Sequence, residues 1–600
     1  MIRFFSFLRG KQLVGVLIGI FFVLLQTAAG FVLPFLLEFI LNDFGKIQLA
    51  LANPTLAIGI DVNHLNSMIA LNIGLSILAT IISFIFGALS TILVIRSLTT
   101  FIAQMRSRMF KKIQDMSQQD IDKFTTSSLI TRITNDTIVV GEALSFAARF
   151  LSRGTFMFIG GLVSSLIISP ELSLVYLITI PLILIISSSI ILRTKSWFKR
   201  LQPDLDNVNK AMRENILGVR VVKSFVLHKK QEIDFGKKNY ELTNTSTKAY
   251  SALGLISPIA TLIFQLTTLA VIWMGGSPLL SGNIEVLSSL LPFIQVLQQV
   301  LFGLLISIAV FAQLGRGIPS ILRINDVTFQ TSTISYGNVS ESLKQGTIEF
   351  RNVNFAYSQK AANVLENINF KIHPNEKIGF VGKTGSGKST LVNLFTRSYD
   401  VTNGEILLNN INIKEFTRES LNENISIATQ KPSIFSGTIK SNIAFGLNDL
   451  NNEEEVVKAA KIASAWEFIQ KQEKILEARV EQRGNNFSGG QKQRMALART
   501  FAKKANLFVL DESTSALDNF TEKEIQENIA KNFDAAIIII SQKINSVKDS
   551  DRIFVLDDGK IVSSGTHFEL LKNSKFYYET AVFQLGQQEV DETLQTKGVL

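Results

Sequence analysis

The residues Gly382-Lys383-Thr384-Gly385-Ser386-Gly387-Lys388-Ser389-Thr390 fit the spacing G-x-x-x-x-G-K-[ST]. They follow the apolar run Ile378 to Val381 and open the helix-compatible segment Leu391-Val392-Asn393-Leu394-Phe395. Phosphate chemistry accounts for these residue types. Glycines let backbone N–H groups close on phosphate oxygens, and the positive end of the following helix faces the anion. Lys388 reaches the β- and γ-phosphates, and the Ser389 hydroxyl can hold Mg²⁺. In a strand–loop–helix frame a chance glycine-rich turn is the weaker reading, so the stretch implies a nucleoside triphosphate. Downstream, the apolar strand Asn506-Leu507-Phe508-Val509-Leu510 ends in Asp511 and Glu512. Asp511 is placed to hold Mg²⁺, directly or through water, and Glu512 to orient and deprotonate an attacking water. Strands often end in acids, and it is the phosphate loop beside them that makes the pair hydrolytic. Between the two, Ser488-Gly489-Gly490-Gln491 opens a second helix-like segment, another anion-binding start. One nucleotide needs one phosphate loop. The second site is therefore expected to serve a nucleotide held by another copy, and the domain to work as a pair.

These groups must stand on an α/β frame. Ile348 to Tyr357 alternates as a half-buried strand does, and beyond residue 320 the apolar runs are about four to seven residues long, suiting buried strands. Tyr357 closes the first strand. A tyrosine there is ordinarily packing; beside a phosphate loop it becomes a credible platform for adenine.

The first half of the chain has another character. Six hundred residues exceed one core, at a soft prior of about 150 residues per domain. Uncharged stretches run Leu13–Leu37, Leu65–Ile95, Gly154–Pro170, Leu172–Leu192, Ala249–Ile284 and Val286–Gly315. A bilayer-crossing helix needs about 20 mostly apolar residues, which five of these supply outright and the third supplies if it extends back through Phe150 and Ala147. The expected spans are about 13–41, 66–95, 143–168, 172–193, 250–277 and 286–314, within a transmembrane domain of residues 1–325. Arg3, Arg9 and Lys11 precede the first span, Arg316 and Arg323 follow the last, and the polar segments 96–140 and 194–248 are basic. The opposite loops hold only Lys46. The positive-inside rule then places both termini in the cytoplasm. On that reading the net charge of +10 addresses a lipid bilayer, and no nucleic acid is expected as a partner. The first span is too long for a signal-peptide core and is expected to be retained. With no cysteine, disulfides and thiolate metal sites are excluded.

Both basic segments are longer than a turn requires, so the spanning helices are expected to continue into the cytoplasm and reverse there, near Met116–Phe124 and near Gly218–Phe225. The spans are nearly free of ionisable groups at depth, which argues against a proton relay. Gln295, Gln298 and Gln299 lie in the last span; hydrogen bonding between helices is their more ordinary use, with substrate contact as the alternative. A linker over 326–345, a soluble domain over 346–585 and a polar, disordered tail over 586–600 complete the expected order.

The motifs together resemble an ATP-binding-cassette exporter half-transporter, in which six spans precede one nucleotide-binding domain. The resemblance rests on Tyr357 as the aromatic A-loop, Gly382–Ser389 as Walker A, Gln430 as the Q-loop, Ser488-Gly489-Gly490-Gln491 as the signature, Asp511 with Glu512 as Walker B, and Ser515-Ala516-Leu517-Asp518 as the D-loop. It implies two cassettes enclosing two ATP molecules, each site combining Walker A, Walker B and Q-loop of one chain with the signature of the other. It also implies Mg²⁺ at Ser389, Gln430 and Asp511, nucleotide contacts from Tyr357 and the loop through Thr390, Glu512 as catalytic base, and coupling helices at the two reversals. Two departures stand out. Where the family has a histidine in an S-H-R-like triplet, this chain has Ser541-Gln542-Lys543, and Gln542 can donate a hydrogen bond but carry no positive charge. Gln482 replaces the glutamate of the family's T-E-V-G-E-R-G. Such a histidine loss is common in the family's heterodimers, so the partner is expected to be a second, related half-transporter, with a homodimer as the alternative.

The expected function is ATP-driven export of an amphipathic or lipophilic compound, drug-like or lipid, by alternating access across the cell membrane. An importer built on the exporter fold and an ATP-gated channel or regulatory membrane complex are the alternatives. The abundance of Asn, Lys and Ile suggests an AT-rich, bacterial genome.

Overall fold

The computed structural model describes residues 9–52, 61–280, 285–340, 347–358, 360–447 and 449–596. The expected outer loop beyond Ala52, the linker residues 341–345 and the last four residues lie outside the described residues. The chain forms two units, one of Met1–Gln114 with Ser127–Gln330, the other of Asp115–Thr126 with Thr331–Leu600.

Among the described residues, the first unit has six helices long and apolar enough to cross a membrane: α1 (Lys11–Gln48), α2 (Val62–Asp115), α4 (Thr126–Ile168), α5 (Pro170–Leu217), α7 (His228–Gly276) and α8 (Ser288–Thr328). Between them lie the short α3 (Gln118–Phe124) and α6 (Val219–Ser224). At about 1.5 Å per residue α2 is roughly 80 Å long, more than twice a hydrocarbon core of about 30 Å, so it must continue beyond the bilayer. Phe84, Leu177, Ile178, Leu192 and Trp273 are all at least 70% exposed, as side chains that face lipid should be.

The centre of this unit is α8. Phe293, Val296, Leu297 and Val300 are fully buried there. Its closest neighbour is α4, and the reason is two glycines: a Cβ on Gly154 would meet the Gly303 carbonyl oxygen at 2.8 Å, and one on Gly303 would meet the Gly154 oxygen at 2.7 Å. Without a hydrophobic drive between helices in lipid, such backbone approach is a main source of packing energy. Farther along the same pair, Arg323 of α8 donates to both carboxylate oxygens of the fully buried Asp136 of α4, at 2.7 and 2.5 Å, and Ser320 donates to it at 2.9 Å. Helix α4 passes through two π-helical turns, Arg132–Asp136 and Ala147–Leu151. Gln298 is exposed on α8, and Phe302, one turn on, is 52% exposed.

Among the described residues the second unit holds twelve strands: β1 (Ile348–Phe355), β2 (Leu365–Ile372), β3 (Lys377–Gly382), β4 (Asn403–Leu408), β5 (Ile411–Asn412), β6 (Ile425–Ala428), β7 (Gly437–Thr438), β8 (Arg479–Val480), β9 (Leu507–Asp511), β10 (Ala536–Ser541), β11 (Arg552–Asp557) and β12 (Lys560–Gly565). They form a four-stranded antiparallel sheet in the order β2-β1-β4-β5, a six-stranded sheet in the order β12-β11-β3-β10-β9-β6, and the β7-β8 pair. In the six-stranded sheet every pairing is parallel except β11 with β12. Parallel strands are covered on both faces, which is why β9 and β10 are buried at every position and read as unbroken apolar runs.

One expectation is corrected. The polar tail is not structureless: helix α13 (Gln587–Thr596) follows α12 (Lys575–Leu585), and Val590 is 1% exposed. Its sequence, QQEVDETLQT, is polar on all but one face, so composition concealed the two apolar residues, Val590 and Leu594, that dock it.

Candidate active site

The parallel register brings the chemistry to one edge. Val381 pairs with Ser541, Asp511 with Ile540, and Ala428 with Leu510, so the C-terminal ends of β3, β10, β9 and β6 lie side by side. Each end runs into one of the groups singled out in sequence: the phosphate loop after β3, Gln542 after β10, Asp511 and Glu512 at β9, and Gln430 after β6. Ligands bind open parallel sheets at this edge because loops there are free of ladder hydrogen bonds and helices begin there.

The phosphate loop turns at Gly385 and Gly387, whose φ angles of +88° and +101° favour glycine, and helix α9 (Lys388–Phe395) starts at once. Lys388 is 6% exposed and folds back, its Nζ donating to the carbonyl oxygens of Gly382 at 2.8 Å and Lys383 at 2.7 Å. Burial lowers its pKa, and the charges of Glu512 and Asp511 pull it back up. Ser386 is buried with its hydroxyl unpartnered. A loop turned by glycines into a helix start, a buried ammonium and an orphaned hydroxyl fit a triphosphate. Ser389 and Thr390 begin α9; Ser389 is exposed, while the Thr390 hydroxyl lies 3.0 Å from that of Tyr357. The Lys383 ammonium sits over the Phe576 ring at 5.0 Å.

Around Glu512 the amides close in. Gln430 Nε2 donates to one carboxylate oxygen at 2.5 Å and Gln542 Nε2 to the other at 2.8 Å. Gln542 also accepts from the Thr384 hydroxyl at 3.3 Å, so it bridges the phosphate loop and the carboxylate. Glu512 holds φ at +44°, a left-handed conformation unusual for glutamate and typical of functional sites. Asp511 is 7% exposed; burial first, then the neighbouring Glu512 charge, pushes its pKa up to about 6, against the pull of Lys388. This is a carboxylate that the fold leaves under-compensated, as a cation site does.

The signature residues stand elsewhere in the unit, at the start of helix α10 (Gly489–Ala502). Ser488 caps it: its hydroxyl accepts from Gln491 N at 3.3 Å while Gln491 Oε1 accepts from Ser488 N at 2.9 Å, a reciprocal capping box. Asp518 caps helix α11 (Asn519–Asn532) by accepting from Thr521 N at 2.9 Å. Three residues escaped the reading of the sequence. Gln493 is buried and donates to the Ser515 hydroxyl at 3.1 Å while accepting from Ala516 N at 2.9 Å, which ties α10 to the segment Ser515–Asp518. Gln584 of α12 donates to the Gln542 carbonyl at 2.9 Å and accepts from Ile544 N at 2.8 Å. Tyr399 is 6% exposed and packs edge-on against Tyr357. Nothing local marks them: their partners are some 20 to 40 positions distant in the chain.

Comparison with known proteins agrees with this geometry. Residues 16–305 match the ABC transporter transmembrane region and residues 365–515 the ABC transporter domain. The ABC transporter ATP-binding protein YfiB of Bacillus subtilis is 32% identical over 510 residues, covering 85% of this chain and 88% of that protein. The ATP-dependent lipid A-core flippase of Haemophilus influenzae is 30% identical over 508 residues, covering 81% and 85%. Among solved structures, a bacterial Atm1-family ABC exporter with ATP bound superposes with a TM-score of 0.80 at 23% identity, covering 96% of this chain and 99% of that one. The chain therefore belongs to the ATP-binding-cassette transporter family, as a multi-pass, ATP-binding transport ATPase with the exporter-type fold.

Proposed function

We propose that this chain is one half of a dimeric exporter that moves amphipathic or lipophilic compounds out of the cell, and that its partner is a related but different half-transporter. The observation that carries the asymmetry is the pair of amides on Glu512. In the site formed on this chain, Tyr357 would stack on adenine, the loop from Gly382 to Thr390 would hold the phosphates, and Ser389, Gln430 and Asp511 would hold Mg²⁺, which would supply charge to neutralise the phosphates. Glu512 orients the attacking water. Gln542 occupies the position from which a protonated side chain would stabilise the γ-phosphate, and an amide has no charge to give. Hydrolysis here is slow. Ser488, Gly489, Gly490 and Gln491 complete the partner's site instead, where turnover is fast, with Asp518 beside the dimer axis.

Binding of ATP favours the closed pair because only that state offers contacts from both chains, and a ligand shifts an equilibrium only by such a difference. The short helices α3 and α6 carry the change to the spans, which alternate their access. The basic ends of the spans support a cytoplasmic position for both termini and the ATP sites. The spans support this substrate class: their walls are apolar, with Gln298 and Phe302 exposed on α8 to offer one amide and one ring. The lipid A-core flippase among the relatives is consistent with a lipid-like cargo.

Two measurements test this. The intact mass of the tagged complex from its native membrane should show a second chain of similar size; twice 66.6 kDa alone would establish a homodimer. In inside-out vesicles carrying the complex, ATP should drive accumulation of a fluorescent amphipathic dye or short-chain fluorescent lipid. Accumulation only in right-side-out vesicles would mean import, and flux without ATP turnover would mean a channel.

A further inference from the structure

We propose that Tyr399 is a positioning residue that links the adenine platform to helix α3, so that occupancy of the base pocket and docking of α3 report on each other. The inference rests on the reading of Tyr357 as the adenine platform. Its basis lies within the second unit, to which α3 belongs although it follows α2 in the chain.

The turn after α9 gathers three partners. Arg397, 1% exposed and held at φ +51°, donates to the Ser335 carbonyl at 2.6 Å and to Asp400 at 2.8 Å, and lies over the Tyr336 ring at 4.8 Å. That fixes the turn against the linker. Two residues on, the Tyr399 ring meets Tyr357 edge to face, with centroids 5.2 Å apart and planes at 90°, and Phe355 packs against both rings. The Tyr399 hydroxyl donates to Asp122 of α3. Burial and the Asp122 carboxylate raise its pKa, so it stays a donor at every physiological pH.

Asp122 is itself held in place. Its other oxygen accepts from Gln118 at 2.8 Å. Two residues back, the fully buried Asp120 accepts from Thr333 N at 3.0 Å and from the Ser117 hydroxyl at 2.7 Å, anchoring the start of α3 to the linker. The path from base pocket to α3 is thus one aromatic contact and one charge-assisted hydrogen bond. Neither is replaceable by water without loosening the ring that adenine would stack on. Reciprocity follows: if α3 fixes the Tyr357 ring through Tyr399, a nucleotide stacked on that ring must in turn favour docked α3 by the same factor. A triphosphate without a base would engage the phosphate loop and leave α3 indifferent.

The test uses the full complex in nanodiscs and compares affinity for Mg-ATP with affinity for Mg-tripolyphosphate at this chain's site. Tyr399→Phe keeps the ring and removes the hydroxyl; Asp122→Ala removes the acceptor from exposed helix surface. Each should weaken ATP binding about fivefold, at the low end of measured site-to-site couplings, and leave tripolyphosphate binding unchanged. The double variant should be no weaker than either single one, because both cut the same link. Unchanged ATP affinity in both single variants, additive losses, or equal losses for ATP and tripolyphosphate would each overturn the link. Tyr357→Ala separates the two readings: if it leaves ATP affinity intact, the platform itself fails; if it weakens ATP while Tyr399→Phe and Asp122→Ala do not, only the link fails.

Discussion

Two regions of the second unit are built as anion-binding helix starts, yet their surroundings differ. At the start of α10 nothing is altered: Ser488 and Gln491 cap the helix reciprocally, both glycines are present, and Gln493 secures the neighbouring Ser515–Asp518 segment. At the edge of the six-stranded sheet the phosphate loop and both acids are present, but the residue at the end of β10 is Gln542, and it is spent on Glu512. On the proposed reading, the first region is lent to a nucleotide bound by the partner and the second serves this chain's own.

The largest effect should come from the lent region. Gly490→Asp puts a negative charge where a phosphate must sit and should cut ATP turnover of the complex by about 10²-fold, the scale of losing a preorganised anion site. Phosphate release measures it. Gln493→Ala removes two hydrogen bonds that hold α10 to Ser515 and Ala516, and should cost about fivefold in turnover, near 1 kcal/mol, with ATP affinity at this chain's Walker loop unchanged. Gln542→His should act in the opposite sense. By restoring a chargeable donor it adds a second working site to the first, and turnover should rise by up to about twofold.

The smallest effect is on stability. Asp511 titrates near 6 in the fold, above its ordinary value. Between about pH 4 and 6 the folded unit keeps a proton that the unfolded chain has lost, so stability declines as pH rises through that window and stays lowered above it. Asp511→Asn removes the penalty. Without nucleotide, its thermal transition at pH 7.5 should lie a few degrees above that of the natural chain. At pH 4 the two should coincide. A variant less stable at pH 7.5 would show that Asp511 is compensated in the fold after all.

Most of the sheet edge was legible in the sequence because its chemistry is local. Phosphate binding demands glycines, a lysine and a hydroxyl within nine residues, and parallel strands advertise themselves as continuous apolar runs ending in polar groups. Six spans were legible for the same reason, since hydropathy is a property of one segment at a time. What escaped depends on distant partners. Tyr399 and Gln584 look like ordinary surface residues until the fold sets them against Asp122 and Gln542. The backbone approach of Gly154 and Gly303 is written in two glycines that any membrane helix might contain. The tail escapes a reading by composition because Val590 and Leu594, one turn apart, dock a helix that is otherwise polar.

The most direct test of the asymmetry compares two variants of this chain in the intact complex, Gly490→Asp and Glu512→Gln, by steady-state phosphate release. If this chain lends a working signature and keeps a slow site, Gly490→Asp should abolish most turnover while Glu512→Gln lowers it by no more than about twofold, well short of the roughly 10²–10⁴-fold that loss of a working general base costs. Equal and near-complete loss in both variants would contradict the account and mean that Glu512, with Gln542 at its side, hydrolyses ATP at full rate.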